Sequence, residues 1–174
     1  MSPVAHAGLG LLGWQLFDRK KTAGTLVLFV LVANWPDVDF LLHALFKRQT
    51  AFLHQYYTHN VLFVFVFALL FSLFLRDGRS RLGIYLTGVS HLLSDLIVID
   101  TSPPIGIRLF FPFLNDCFNL PWFPYLRRWP STALFSAENG AVILLEFVVF
   151  VLPVVYFFRK PLRRRWNSAA FWKI

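Results

Sequence analysis

Residues 59–75 read HNVLFVFVFALLFSLFL: beyond His59 and Asn60 there are fifteen residues with one hydroxyl, Ser72, and otherwise only Val, Leu, Phe and Ala. A helix of this composition has no polar side to turn toward water, so it is buried in protein or bathed in lipid. Working outward, Leu82–Ile99 is apolar apart from a few polar residues, and Gly140–Phe158 is apolar except for Glu146. Val4–Phe17 and Thr22–Ala33 are apolar but shorter than the ~20 residues that cross a bilayer, and they span only with help from their flanks or a locally thinner membrane. The composition decides between protein and lipid. Of 174 residues 57% are hydrophobic and 15% charged, with 21 Phe and 6 Trp, whereas a soluble domain carries roughly 25% charged residues. Soluble globular and disordered readings are both excluded. The N-terminal stretch has neither a basic leader nor a small-residue cleavage site, so it reads as a first helix rather than a signal peptide.

The expected fold is therefore all-α: one polytopic transmembrane helical bundle of about five membrane helices, with re-entrant or interfacial segments on the outer side. No repeat or low-complexity linker divides residues 1–174. Within this single domain, residues 1–113 carry the motifs described below. Residues 114–138 form an interfacial aromatic and basic segment, 139–158 the last membrane helix, and 159–174 a basic tail. The lone Cys117 excludes an intrachain disulfide, a cysteine zinc finger and an iron–sulfur cage.

Orientation follows from Lys and Arg. If the five stretches alternate, Arg19, Lys20, Lys21, Arg76, Arg79, Arg81, Arg159, Lys160, Arg163, Arg164, Arg165 and Lys173 share one side, 12 of the 17 basic residues. The other side receives Lys47, Arg48, Arg108, Arg127 and Arg128 on two much longer segments. The first side is expected to be cytoplasmic, together with the C-terminus. Topology thus accounts for the net charge of +8, and a nucleic-acid partner is not required.

The same alternation collects the ionisable residues at the opposite, outer end. His6 starts the first stretch. Asp37 and Asp39 follow the second in Asn34-Trp35-Pro36-Asp37-Val38-Asp39. His54 and His59 precede the third in His54-Gln55-Tyr56-Tyr57-Thr58-His59-Asn60, and His91 and Asp95 lie in the outer half of the fourth. Four histidines and three aspartates from four segments meet at one end, although only Lys and Arg set the topology. Ionisable groups at membrane depth are costly unless paired or metal-bound, so a shared site explains them economically.

Each residue also has a plainer explanation. His91 and Asp95, four apart, share a helix face and satisfy each other by one hydrogen bond. Asp37, after Pro36, suits the first turn of a helix through Phe40–Phe46, with Asp39 adding favourable charge there. His54 and His59, five apart, both point inward only if His54 precedes the helix. His6 could be solvated at the interface, and His43 is structural.

Imidazole and carboxylate without thiolate suit zinc, manganese or iron better than calcium or magnesium. A catalytic zinc takes about three protein ligands and leaves one position for water. Seven candidates leave room for one or two ions, a pair being common in phosphoesterases. Other chemistries lack their motifs. There is no His-Glu-x-x-His, Gly88-Val89-Ser90-His91 lacks the last Gly of a nucleophile elbow, and Glu138 and Glu146 are the only glutamates.

Pro36-Asp37-Val38-Asp39, then His54-Gln55-Tyr56-Tyr57-Thr58-His59, then His91-Leu92-Leu93-Ser94-Asp95 resemble, in order, the motifs of the YdjM family of inner-membrane proteins, described as predicted metal-dependent hydrolases. His6 looks like that family's N-terminal histidine, and Thr101, Gly106 and Pro112 like its last motif. The resemblance covers roughly residues 1–113. Gln55 stands where the family has Arg and Asn60 where it has Ser, and the Asp100–Pro104 spacing is slightly longer. The resemblance implies a metal-dependent hydrolase with His6, Asp37, Asp39, His54, His59, His91 and Asp95 around the metal, and Gln55 at a position that would otherwise offer a cation to an anionic substrate.

The substrate must be argued from this chain. Phe118–Trp129 interleaves Trp122, Phe123, Tyr125 and Trp129 with Arg127 and Arg128, a composition that suits the lipid headgroup layer. It serves either as an anchor or as a lipid entrance at which Arg127 or Arg128 holds a phosphate. The reading is a membrane-bound, metal-dependent hydrolase of a phosphoester or related bond in a membrane-associated lipid. Asp39 is expected as a ligand and Asp37 as base or bridging group. The alternative is a non-catalytic metal-binding membrane protein, a carrier or assembly factor. A carrier needs polar groups continuing across the membrane, and Val61–Leu75 offers none beyond Ser72.

Overall fold

The computed structural model describes residues 1–39, 55, 57–99, 105–124 and 136–166. His43, His54, Tyr125, Arg127, Arg128, Trp129 and Thr101, and the end of the basic tail, lie outside the described residues.

Five helical rods account for most of the described chain: α1 (Pro3–Phe17), α2 (Ala23–Asn34), α3 (Val61–Ser72), α4 (Gly78–Leu96), and a last rod in which α5 (Ala137–Glu146) runs through a π-helical turn (Phe147–Val151) into α6 (Leu152–Trp166). A 3₁₀ turn, Trp35–Asp37, extends α2. There is no strand among the described residues, only two isolated bridges, Val98 with Phe123 and Ile107 with Phe118.

Each rod begins where the sequence places a short polar side chain. Ser2, Thr22, Asn60, Asp77 and Ser136 each accept a hydrogen bond from a backbone N–H of the first turn. This satisfies donors that the helix leaves open. The turn between α1 and α2 is tied in the same way. Asp18 accepts from the Lys21 backbone, the Thr25 hydroxyl and, across to α4, the Ser80 hydroxyl at 3.0 Å. The Lys21 ammonium donates to the Trp14 and Gln15 carbonyls at the end of α1.

Trp14, Phe29, Val32, Ala68, Leu75 and Ile84 form the main core. Close packing there needs glycine. A Cβ on Gly10 would lie 2.9 Å from the Phe29 carbonyl oxygen and from the Val30 Cα, so only a bare backbone lets α1 and α2 touch. Outside this core α3 is apolar to its surface. Leu62, Phe65, Val66, Leu69, Leu70, Leu73 and Phe74 are all exposed on and just beyond α3, a continuous patch that water would not tolerate.

Each hydrophobic stretch read from the sequence became one rod. By length and composition one of them, Ala137–Arg159 (23 residues), is long and apolar enough to cross a membrane, while Ala23–Asp37 and Val61–Ser72 are apolar but shorter. Segments 97–99 and 105–124 close one end of the bundle. The Leu96 carbonyl accepts from Leu120 N–H, the Ile97 carbonyl from Trp122 and Phe123, and Leu109 accepts from Val61 at the start of α3. This irregular cover satisfies the open carbonyls of α4 and an open donor of α3.

Candidate metal centre

The closed end of the bundle gathers the start of α1, the 3₁₀ turn after α2, the residues before α3 and the last turns of α4. His6, Asp37, His91 and Asp95 each present a ligand atom there, all within 4.8 Å of one another. His59 joins them, with Nε2 3.3 Å from Asp37 Oδ1 and 3.2 Å from Asp95 Oδ2. The rings of His6 and His91 stack with centroids 3.8 Å apart. All three histidines are fully buried, and the Asp95 side chain is 1% exposed against 14% for Asp37.

Hydrogen bonds behind the rings fix which nitrogen faces inward. His91 Nδ1 lies 2.6 Å from the Ala33 carbonyl oxygen, which can only accept, so the proton is on Nδ1. The Ser94 hydroxyl donates to the His91 carbonyl, which leaves its oxygen to accept from His6 Nδ1 at 3.3 Å. The Thr58 hydroxyl donates to Asp39 Oδ2 at 2.7 Å and accepts from His59 Nδ1 at 3.0 Å. Three imidazoles on three elements therefore turn Nε2 toward Asp95, at 3.4, 3.2 and 3.1 Å for His6, His59 and His91. A histidine that donates through one nitrogen to an oxygen while offering the other is the usual arrangement of a metal ligand.

A divalent cation fits this donor set. His6 Nε2, His91 Nε2 and Asp37 Oδ2 are buried without a hydrogen-bond partner, a costly state in an apolar interior unless a further group binds them. Two buried carboxylates also call for compensating positive charge. The Met1 amino group supplies part of it by donating to Asp95 Oδ1.

The two aspartates of Pro36-Asp37-Val38-Asp39 take separate places. Asp37 faces the cluster, whereas Asp39 turns to Thr58 and to the Gln55 backbone N–H at 3.0 Å. The geometry thus places Asp37 in the cluster and Asp39 behind His59; from the sequence both are expected near the metal, Asp39 as ligand and Asp37 as base or bridging group. Gln55 reaches the site's supports through its backbone, in a left-handed conformation with φ 67°. Ser94, Thr58 and the Ala33 carbonyl were not singled out from the sequence. Ser94 and Thr58 sit within the two histidine motifs, and that adjacency was the available signal.

Glu146 is fully buried outside the cluster. Both of its carboxylate oxygens accept from the Ser2 backbone N–H at 3.1 Å, and one also accepts from the Ser2 hydroxyl. It therefore ties the last rod to the start of α1, four residues before His6.

No curated protein and no solved structure matches this chain. A family model does: that of the YdjM inner membrane protein matches residues 1–163 and so takes in every residue of the cluster. The chain belongs to the YdjM inner membrane protein family.

Proposed function

We propose that this chain is a multi-pass membrane protein whose cluster binds a divalent metal, zinc or else manganese or iron, and uses it to hydrolyse a phosphoester or related bond of a membrane-associated lipid. One observation carries the reading: His6 Nε2, His91 Nε2 and Asp37 Oδ2 converge in a buried space with no hydrogen-bond partner. His91 Nε2 lies 3.1 Å from Asp95 Oδ2 and His6 Nε2 3.4 Å from Asp95 Oδ1, so imidazole nitrogens and carboxylate oxygens crowd together at a spacing that a shared cation would relieve. His6, His91, Asp37 and Asp95 would hold the ion, with His59 beside them. A bound ion of this class supplies Lewis acidity and a water whose proton is lost near neutral pH.

The chain's own residues divide the remaining work. Asp37 is the most open carboxylate of the cluster and is the group able to take a proton from water entering it. Asp39, through Thr58, keeps the His59 ring in one tautomer. Ser94 and Ala33 do the same for His6 and His91.

The test is elemental analysis of purified protein, then turnover of a panel of phospholipids and prenyl phosphates by the metal-loaded protein in detergent. Asp37→Asn should keep the fold and lose turnover by roughly 10²- to 10⁴-fold, the usual contribution of a positioned proton acceptor. Wild-type protein that holds metal and turns over nothing in the panel would favour a carrier or assembly factor.

A further inference from the structure

The last rod can serve as a ruler for the depth of the cluster. Ser2 bonds Glu146, and a Cβ on Gly8 would meet the Phe150 carbonyl oxygen at 2.7 Å. Two contacts in the same order show that α1 and the last rod run in the same direction and fix their register. The apolar part of the last rod, Gly140–Phe158, is long enough to fill a hydrocarbon layer of about 30 Å. Glu146 lies six residues inside its upper limit, or about 9 Å at the helical rise. Ser2 is at that level, and His6 is a further turn inward.

The opposite end gives a similar, somewhat smaller value. From His6 to Arg19, the first basic residue after α1, there are thirteen residues, about 20 Å. If Arg19 marks the other edge of a layer about 30 Å thick, roughly 10 Å of hydrocarbon remains on the far side of the cluster. The cover is sunk as well. Val98 is buried with Met1 and Ala5, and Phe123 packs on Phe150 with ring centroids 5.8 Å apart, well inside the apolar part of the rod.

We propose that the His/Asp cluster lies about 10–15 Å inside the hydrocarbon layer rather than at its surface, and that what reaches it is an amphiphile dissolved in the membrane, entering from the side, not a solute from the water. The depth stands on helix register alone; the class of substrate rests on the metal-site reading above. At such a depth a soluble phosphoester would have to shed its hydration shell before reaching the cluster.

Spin labels measure the depth directly. In a Cys117→Ser background, Leu93→Cys places a label on α4 between His91 and Asp95, at a side chain 57% exposed and outside the cluster. Leu144→Cys places a reference label beside Glu146, and Leu82→Cys one near the basic end of α4. In phosphatidylcholine–phosphatidylglycerol vesicles, the Leu93 and Leu144 labels should collide freely with oxygen, be shielded from a water-soluble nickel chelate, and report depths within a few Å of each other. A Leu93 label as open to nickel as a headgroup label would overturn the proposal, as would depths that differ widely between positions 93 and 144. The unlabelled, zinc-loaded protein offers a second measurement: phenanthroline, which enters lipid, should strip the metal at least tenfold faster than EDTA. Equal rates would overturn entry from the membrane. Protein that never binds zinc but shows the expected label depths would sink the metal reading and leave the depth standing.

Discussion

His91 Nδ1 donates to the Ala33 carbonyl at 2.6 Å, joining the penultimate turn of α4 to the last turn of α2. The bond does two things at once. It satisfies a carbonyl near the end of α2, where the 3₁₀ turn breaks the regular ladder, and it turns Nε2 toward His6, Asp37 and Asp95. The His–Asp pair at positions 91 and 95 is thus part of a wider cluster, with Nε2 3.1 Å from Asp95 Oδ2.

His91→Ala and Asp95→Asn should each lower bound metal severalfold or more while the protein still inserts and purifies. Each change removes a ligand atom that no neighbour replaces, whereas a plain hydrogen-bonded pair contributes only about 1 kcal/mol. Metal per chain by elemental analysis is the measurement. Unchanged metal in both variants would return the pair to a structural role.

Thr58→Val keeps shape and volume but removes the hydroxyl that links Asp39 to His59. If His59 contributes to the centre, its ring loses a fixed tautomer, and metal affinity should fall about 10- to 100-fold, the usual cost of losing a group that orients a ligand. Thr58→Ser, which keeps the hydroxyl, should bind close to wild type. Competition with a graded chelator reads the difference.

Much of this was legible in the sequence because long apolar runs bounded by polar residues mark out the helices. All five hydrophobic stretches became rods, and Ser2, Thr22, Asn60, Asp77 and Ser136 cap their starts. The convergence of His6, Asp37, His59, His91 and Asp95 also followed from alternation. The separate places of Asp37 and Asp39 did not, because neither spacing nor composition sets where α2 gives way to the 3₁₀ turn Trp35–Asp37. The partnership of Glu146 with Ser2 was equally hidden, since it joins the two ends of the described chain by tertiary packing alone.

Helix packing predicts a contrast between two glycines. Gly10→Ala should destabilise the protein by about 1–3 kcal/mol, because the new methyl meets α2 backbone rather than a side chain able to swing away. Gly140→Ala, with nothing within 4 Å, should be neutral or stabilising by up to about 1 kcal/mol through helix propensity. Thermal unfolding in one detergent separates them. Equal melting temperatures would show that α1 and α2 do not touch as described.

The distribution of basic residues predicts orientation. A reporter fused after Ile174 should lie in the cytoplasm, and one inserted near Asn115, in the cover over the cluster, should lie outside. The reverse result would move the cluster to the cytoplasmic half of the membrane and leave its geometry intact.

Glu146 gives the last prediction. Its carboxylate receives the Ser2 backbone N–H and hydroxyl at the start of α1, a helix end that favours negative charge. Glu146→Ala leaves those donors buried without an acceptor, next to the π-helical turn Phe147–Val151. A hydrogen bond to a charged group contributes about 1.5–3 kcal/mol, and a loss of that order in thermal stability is expected. Glu146→Gln retains one acceptor oxygen for the N–H, and its amide can donate to the Ser2 hydroxyl, so it should recover most of the loss. Because α1 carries His6 one turn below Ser2, the alanine variant should also bind metal more weakly than the glutamine variant. If alanine and glutamine are equally stable and bind metal equally, Glu146 does not hold α1, and the register used to measure the depth of the cluster loses one of its two contacts.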